Sequence, residues 1–472
     1  MALHSITADQ FRTARQSVQS RYIKLELLNY QFQTVDELQG VATSGAITID
    51  ANSDVRRTAS ISLVVKNSSF EVETGGKIWL DKFIRINVGT YNLIEQNISW
   101  VNCGTYIIDA PSYEYDPSTN TLDLTLYDLM AKLTGLRNGY LEGIPVTLKA
   151  GENIRKAIID TLALGGFTKY IVEEAPGDGK IPNDLEFNQG TTIYDLLAGL
   201  RDIYPNYEIF FDVDGTFYYK PIPTGLNDPI LVDDSTFGKL VTSESIDVDF
   251  QNVKNSIEVY GRTHDPAHYS TSTSVSGSTV TLTIADVVAY SDGVVYGFTL
   301  TDNKGINNLK VRINSLTTLD TYDDDGNAGK IEAESGEVYY CVQYNKSKNK
   351  FYYLGHLQAY AKVEDTNPDS PFNVNGTIGR IRLPLFDGEY DNCLTDALAK
   401  QRALFELWLH TNMNDTLTLS MTPVYWLDVN IKANYTLKRN NQNRDYLIKS
   451  ISIGLAPTDA MSVQMARFYA RT

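Results

Sequence analysis

The sequence predicts a mainly-β protein with an α+β part, on three observations. Short runs alternate apolar and polar residues with a period of two. Clusters of Gly, Asn, Asp and Pro separate those runs. Helical periodicity is confined to the N-terminus, to a stretch within 144–223 and to about 393–410. The composition agrees, because 30 tyrosines and many β-branched residues favour strands.

At the N-terminus, Thr7 and Gln10 have the spacing of a capping box and open a short helix carrying Phe11, Ala14 and Val18. From Tyr22 the period becomes two. Ile47 and Ile49 alternate with polar neighbours, as do Ala59, Ile61, Leu63 and Val65, and again Leu122, Leu124 and Leu126. These read as an antiparallel sandwich or barrel over about 20–135. In the next region Ile154, Ala157, Ile158 and Leu162 form a helical stripe that Gly165-Gly166 stops. A second stripe, Ile193, Leu196, Leu197, Leu200 and Ile203, has Thr192 as N-cap and Pro205 just beyond it. The stretch FFDVDGTFYYK (210–220) follows, completing a compact α+β unit.

Strand patterning returns from about 240, at Ile257 and Val259, at Leu417, Leu419 and Met421, and at Ile451, Ile453 and Leu455. The helix at about 393–410 puts Leu394, Ala397, Leu398, Leu404, Phe405 and Trp408 on one side. Residues 264–368 read as an insertion with its own small β core. It opens on STSTSVSGST, contains the acidic turn DTYDDDGNAGK and leaves through EDTNPDSPF. The parse is therefore an arm at 1–20, a first β domain at 21–143, an α+β domain at 144–235, a second β domain at 236–263 plus 369–472, and the inserted module at 264–368.

A net charge of −17 argues against binding nucleic acid through its phosphates. Cys103, Cys341 and Cys393 form no C-x-x-C pair, which suits a reducing cytoplasm without a disulfide framework or zinc ribbon. The start MALHSITADQ has no basic and apolar leader, and no apolar run reaches the roughly 20 residues of a membrane span. No membrane insertion is expected.

The chemical motifs dissolve on inspection. FFDVDGT spells the nucleophile motif of haloacid-dehalogenase-type phosphatases, with Asp212 as nucleophile and Asp214 as acid/base. Such a nucleophile ends a buried parallel strand before a helical turn that cradles phosphate. Here both flanks are β-formers, and Asp214-Gly215 between them is a hairpin signal. TYDDDGNAGKIE (321–332) places Asp323, Asp325, Gly326 and Glu332 like a calcium loop, but Thr321 holds the first position and no helices flank it. His264 and His268 are four apart with Pro266 between them. GDGKIP (177–182) lacks the first Gly and the Ser/Thr of a phosphate loop, and no G-x-S-x-G elbow occurs. No catalytic, cofactor-binding or metal-ligating residue is nominated, and the chain reads as a non-enzyme.

Several phrases resemble a known family. SGAITIDANSDVRRTASISLVV (44–65), DLMAKLTGLRNGYLEG (128–143), GTTIYDLLAGLRDIYPNYEIFFDVDGTFYYKPIP (190–223), GEYDNCLTDALAKQRALFELW (388–408) and YWLDVNIKANYTL (425–437) resemble the baseplate hub proteins of phage tails from Gram-positive hosts and of phage-tail-like bacteriocins. The resemblance implies two tail-tube-like β-barrel domains, a small α+β domain between them and an inserted β-rich module. It also implies a homotrimer in the virion tail, assembled in the host cytoplasm. That ring adapts a sixfold tail tube to a threefold spike or tail tip and leaves a channel for DNA. The implied partners are the tail tube protein, the central spike or tail-tip protein, the tape-measure protein and other baseplate proteins. No cofactor and no specific nucleic-acid binding are implied. The alternatives are a carbohydrate-binding receptor-recognition protein, for which tyrosine richness is the cue, a cell-wall hydrolase within the insertion, and a phosphohydrolase at Asp212.

Overall fold

A computed structural model describes residues 7–16, 19–40, 42–65, 72–115, 120–143, 145–176, 179–182, 184–225, 227–238, 240–412 and 415–468. The architecture is mainly β with a small α+β part. The capping box at Thr7 and Gln10 opens a helix at Ala8–Ala14, and its Phe11 ring meets Trp426 at 5.8 Å. Val18 lies outside the described residues.

The central element is one sheet of twelve strands. From one edge the order is Val241–Val248, Asp415–Met421, Met461–Arg467, Asn443–Gly454, Ala42–Asp50, Arg57–Val65, Asn120–Asp128, Asn97–Tyr115, Phe83–Asn92, Arg21–Leu28 and Thr34–Gly40. Lys432–Thr436 pairs on Asn443–Gly454 off this path, and every pairing is antiparallel. The two β-rich halves thus run edge to edge. Their seam pairs Ile451 with Ile49 and Ile453 with Ile47, all four side chains buried, while Ser452 and Thr48 point the other way. One apolar cluster holds Ile47, Ile61 and Leu124 together with Leu417, Ile453 and Met465. Period-two alternation gave strands such as Arg57–Val65 and Asn120–Asp128 one apolar face, and the seam brings the faces of both halves into a common core.

Helices Ile154–Leu164 and Ile193–Asp202 of the α+β unit are capped by Asn153 and by Thr192, whose partner Asp195 completes a capping box. The hairpin Tyr207–Phe211 and Phe217–Pro221 adds Tyr170–Val172 in parallel. Ile158, Leu197, Phe211 and Phe217 share a core with Leu28, Phe83 and Leu129 of the first β half.

Two assignments are corrected. The strand Ser256–Thr263, read as part of the second barrel, stays out of the large sheet. It pairs with Gln358–Glu364, counted with the insertion, and with Arg382–Leu385, and the helix Asp396–Asn412 covers the resulting three-stranded sheet. Within that helix Leu404 faces outward, while Arg402 and Glu406 are buried as an ion pair of 2.9 Å, with Arg402 also 2.9 Å from Glu389. A period of 3.6 carries polar and apolar residues to the same face, so letters alone do not mark which are buried. The insertion forms an eight-stranded sheet between His268 and His356 around its own core, including Val280, Phe298, Val311 and Phe351. No helix among the described residues is long and apolar enough to cross a membrane.

Candidate functional site: the charged junction of the two β halves

The Asp212 motif is a hairpin. Asp212 Oδ1 accepts the backbone N–H of Asp214 at 2.9 Å and of Thr216 at 2.8 Å, and Gly215 takes φ +72°. A side chain that holds its own turn in this way is an Asx-turn. The chain continues as a strand, so no helix N-terminus faces the carboxylate. Burial raises the Asp212 carboxyl above its usual range; the Thr216 N–H opposes that and the Asp214 charge adds to it.

The hairpin carries two faces. Ile209, Phe211, Phe217 and Tyr219 enter the α+β core. Glu208, Phe210, Tyr218 and Lys220 lie on the other face, with Phe210 stacked on Tyr218 at 5.2 Å. This second face meets Arg56, just before the strand Arg57–Val65, and Arg57, its first residue, both buried. Arg56 ion-pairs with Glu208, and its guanidinium sits 3.7 Å from the Phe210 ring centre. Glu208 also receives Asn430 Nδ2 at 2.7 Å and lies 3.2 Å from Lys220 Nζ. Arg57 donates to Asp428 and to the Phe211 carbonyl, and its backbone N–H donates to Asp128 at 2.8 Å. Asn430 accepts from Lys449 Nζ at 3.1 Å and holds φ +53°, a conformation asparagine tolerates.

The junction therefore joins three parts of the chain: the first β half through Arg56, Arg57 and Asp128, the α+β unit through Glu208, and the second half through Asp428, Asn430 and Lys449. Burial pushes the Asp128 carboxyl up to about 6, against the N–H groups of Arg57 and Met130 and the two guanidinium charges. Burial lowers the Lys449 amine, and Glu208 opposes it. Beside the network opens a cleft of about 400 Å³, lined among others by Phe210, Asp212, Tyr218, Lys220, Asp428 and Asn430. The arrangement can fix the relative orientation of three units. Arg56 and Lys220 pair with Glu208 and Arg57 with Asp428, while backbone N–H groups hold Asp128 and Asn430 holds Lys449, so each charge that burial strips of water has a polar partner.

The other motif residues are not brought together. Asp323 Oδ1 accepts the N–H of Asp325 at 3.1 Å and of Asn327 at 2.8 Å, a second self-held turn, and Glu332 pairs with Lys330 at 2.7 Å. His264 is buried, with its pKa held below the ordinary value by burial, whereas His268 stacks on Tyr296 at 5.7 Å. Gly177 and Asp178 of GDGKIP lie outside the described residues. Among the described residues no group of three or more His, Cys, Asp or Glu is placed to hold a metal ion. Motif reasoning nominated none of the junction residues. A signal existed: three of the family-like phrases, 44–65, 190–223 and 425–437, contain Arg56, Arg57, Glu208, Asp428 and Asn430.

Large antiparallel sheet, docked α+β unit and peripheral β module together define a fold shared with phage tail proteins. The 43 kDa tail protein of prophage MuSo2 from Shewanella oneidensis matches over 95% of this chain and 98% of its own, at TM-score 0.53 and 11% identity. The tail protein from Neisseria meningitidis MC58 matches over 94% and 96%, at TM-score 0.52 and 10% identity. Residues 369–471 match a family described as a domain of unknown function (DUF5048). That match begins just beyond the insertion and covers the Asp396–Asn412 helix and the strands that follow it. No curated protein matches the chain in sequence.

Proposed function

We propose that this protein is the structural hub of a phage tail baseplate. It acts as a homotrimeric ring that adapts a sixfold tail tube to a threefold spike or tail tip. The observation that carries this reading is the seam between Asn443–Gly454 and Ala42–Asp50. One chain brings two β units side by side in one sheet, so three chains present six similar units in a ring. The fold shared along nearly the whole length with two phage tail proteins supports it. Function then resides in interface packing and orientation, with the charged junction as the fixing point. The chain is catalytically inert in this reading, and Asp212 serves its turn. Part of the −17 charge lines the channel, where an acidic wall keeps passing DNA from sticking.

Multi-angle light scattering and electron-microscope class averages, on the free chain and on isolated tails, test the assembly. Three chains and six lobes per ring are expected. Six chains per ring, or a single lobe per chain, would end the proposal. A gel shift at low salt tests the channel, with weak or no DNA retention expected.

A further inference from the structure

The inserted module meets the rest of the chain at a compact charged cluster. His356 ends the strand Lys350–His356 and has a carboxylate at each ring nitrogen: Asp396 lies 2.7 Å from Nδ1 and Glu334 3.1 Å from Nε2. A carboxylate accepts only, so both nitrogens carry protons and the ring is an imidazolium. Asp396 is the first residue of the helix Asp396–Asn412 and also accepts the backbone N–H of His356 at 3.0 Å and of Tyr360 at 2.8 Å. The corner is shaped around it. Gly355 has φ +99°, and a Cβ there would lie 2.2 Å from the Asp396 carboxyl.

The contact is reciprocal. Asp324, on the module, accepts hydrogen bonds from Tyr352 and from Thr395, and Thr395 caps the helix by accepting the Leu398 N–H at 3.1 Å. An apolar cluster joins Cys341 and Leu354 of the module to Cys393, Leu394 and Leu398. The remaining groups around the cluster are Tyr340, which donates to Glu334 at 2.8 Å and lies 5.3 Å from the imidazole, Tyr360, which meets it edge-on at 6.1 Å, and Tyr353, Cys341 and His264, which feel the Asp396 charge.

We propose that Glu334, His356 and Asp396 form a proton-operated latch that holds the inserted module against the helix Asp396–Asn412 and loosens when the imidazole loses its charge. The module keeps its own core and the large sheet keeps its own, so the latch opens at the small cluster shared with the helix Asp396–Asn412 while both of those cores stay closed. Burial alone would depress the histidine, but Asp396 and then Glu334 push its pKa up to about 9. A raised histidine pKa means that the latch holds fully below the ordinary value near 6.5 and is lost as pH rises through about 9. The inference does not depend on the tail-hub reading.

Cysteine labelling of the full chain tests it. Cys341 and Cys393 belong to the cluster at the latch, whereas Cys103 lies in the large-sheet core. All three thiols are buried and react only once exposed, each then with the ordinary thiol pKa, so the ratio of labelling rates cancels the pH dependence of the thiolate. The ratio of Cys341 or Cys393 to Cys103 is expected to rise roughly tenfold between pH 7 and pH 10, part of the proton linkage being discounted for solvent screening of the ring. His356→Gln should show the raised ratio already at pH 7, and Glu334→Gln should move the midpoint downward. A ratio flat with pH, or a midpoint indifferent to Glu334→Gln, would overturn the latch. Should His356→Gln not fold, carbon-13 NMR of the wild-type histidines decides: a His356 midpoint near its ordinary value overturns the proposal, and one near 9 supports it.

Discussion

The seam between the two β halves and the attachment of the inserted module are built from different interactions. At the seam, Asn443–Gly454 and Ala42–Asp50 share backbone hydrogen bonds, and Ile451, Ile453, Ile47 and Ile49 pack into one core. The module has its own sheet and its own core, and it meets the body through a small apolar cluster and paired charges. Backbone ladders and shared apolar cores lock two parts into one cooperative unit. A contact of a few side chains leaves two parts separable. The two β halves therefore unfold together, whereas the module can part from them.

Breaking the junction that braces the seam should cost most. Arg57→Ala removes the buried guanidinium that joins Asp428 to the Phe211 carbonyl and the charge that offsets the buried Asp128, and stability should fall by about 3–5 kcal/mol, read as the midpoint of urea unfolding. At the seam itself Ile451→Ala removes a fully buried side chain between two strands from opposite ends of the chain. A loss of about 2–5 kcal/mol is expected, and loss of ring formation with it under the hub reading. A change below about 1 kcal/mol would show that the seam is not part of the common core.

Thr263 pairs with Gln358, so the insertion leaves and returns a hairpin's width apart. Replacing 266–355 by a short Gly/Asn turn should leave a soluble body, less stable by no more than about 2 kcal/mol. Cutting the wider segment 264–368 also removes the strand Gln358–Glu364 and should cost clearly more by thermal unfolding. Equal outcomes for the two cuts would refute the strand assignment. The smallest effect is expected at Asp212. Asp212→Asn keeps an oxygen for the two turn N–H groups, so stability should change by less than about 1 kcal/mol. Hydrolysis of p-nitrophenyl phosphate with magnesium should be absent in wild type and mutant alike. Turnover lost in the mutant would sink the inert reading.

Whatever depends on a few neighbouring residues was determined by the sequence alone. The caps at Thr7, Thr192 and Gly165, the hairpin at Asp214-Gly215 and the buried alternation of Ala59, Ile61, Leu63 and Val65 rest on hydrogen bonds or side-chain periodicity within one turn or one strand. The tertiary structure alone decided which strands meet. Ile453 pairs with Ile47 from the far end of the chain, and nothing local to either marks the other. The same holds for the junction and the latch. Arg57 reads as a surface charge until Asp428 closes over it, and His356 as an ordinary loop histidine until Asp396 arrives from the helix. A charge becomes structural only when burial removes water and a distant partner replaces it.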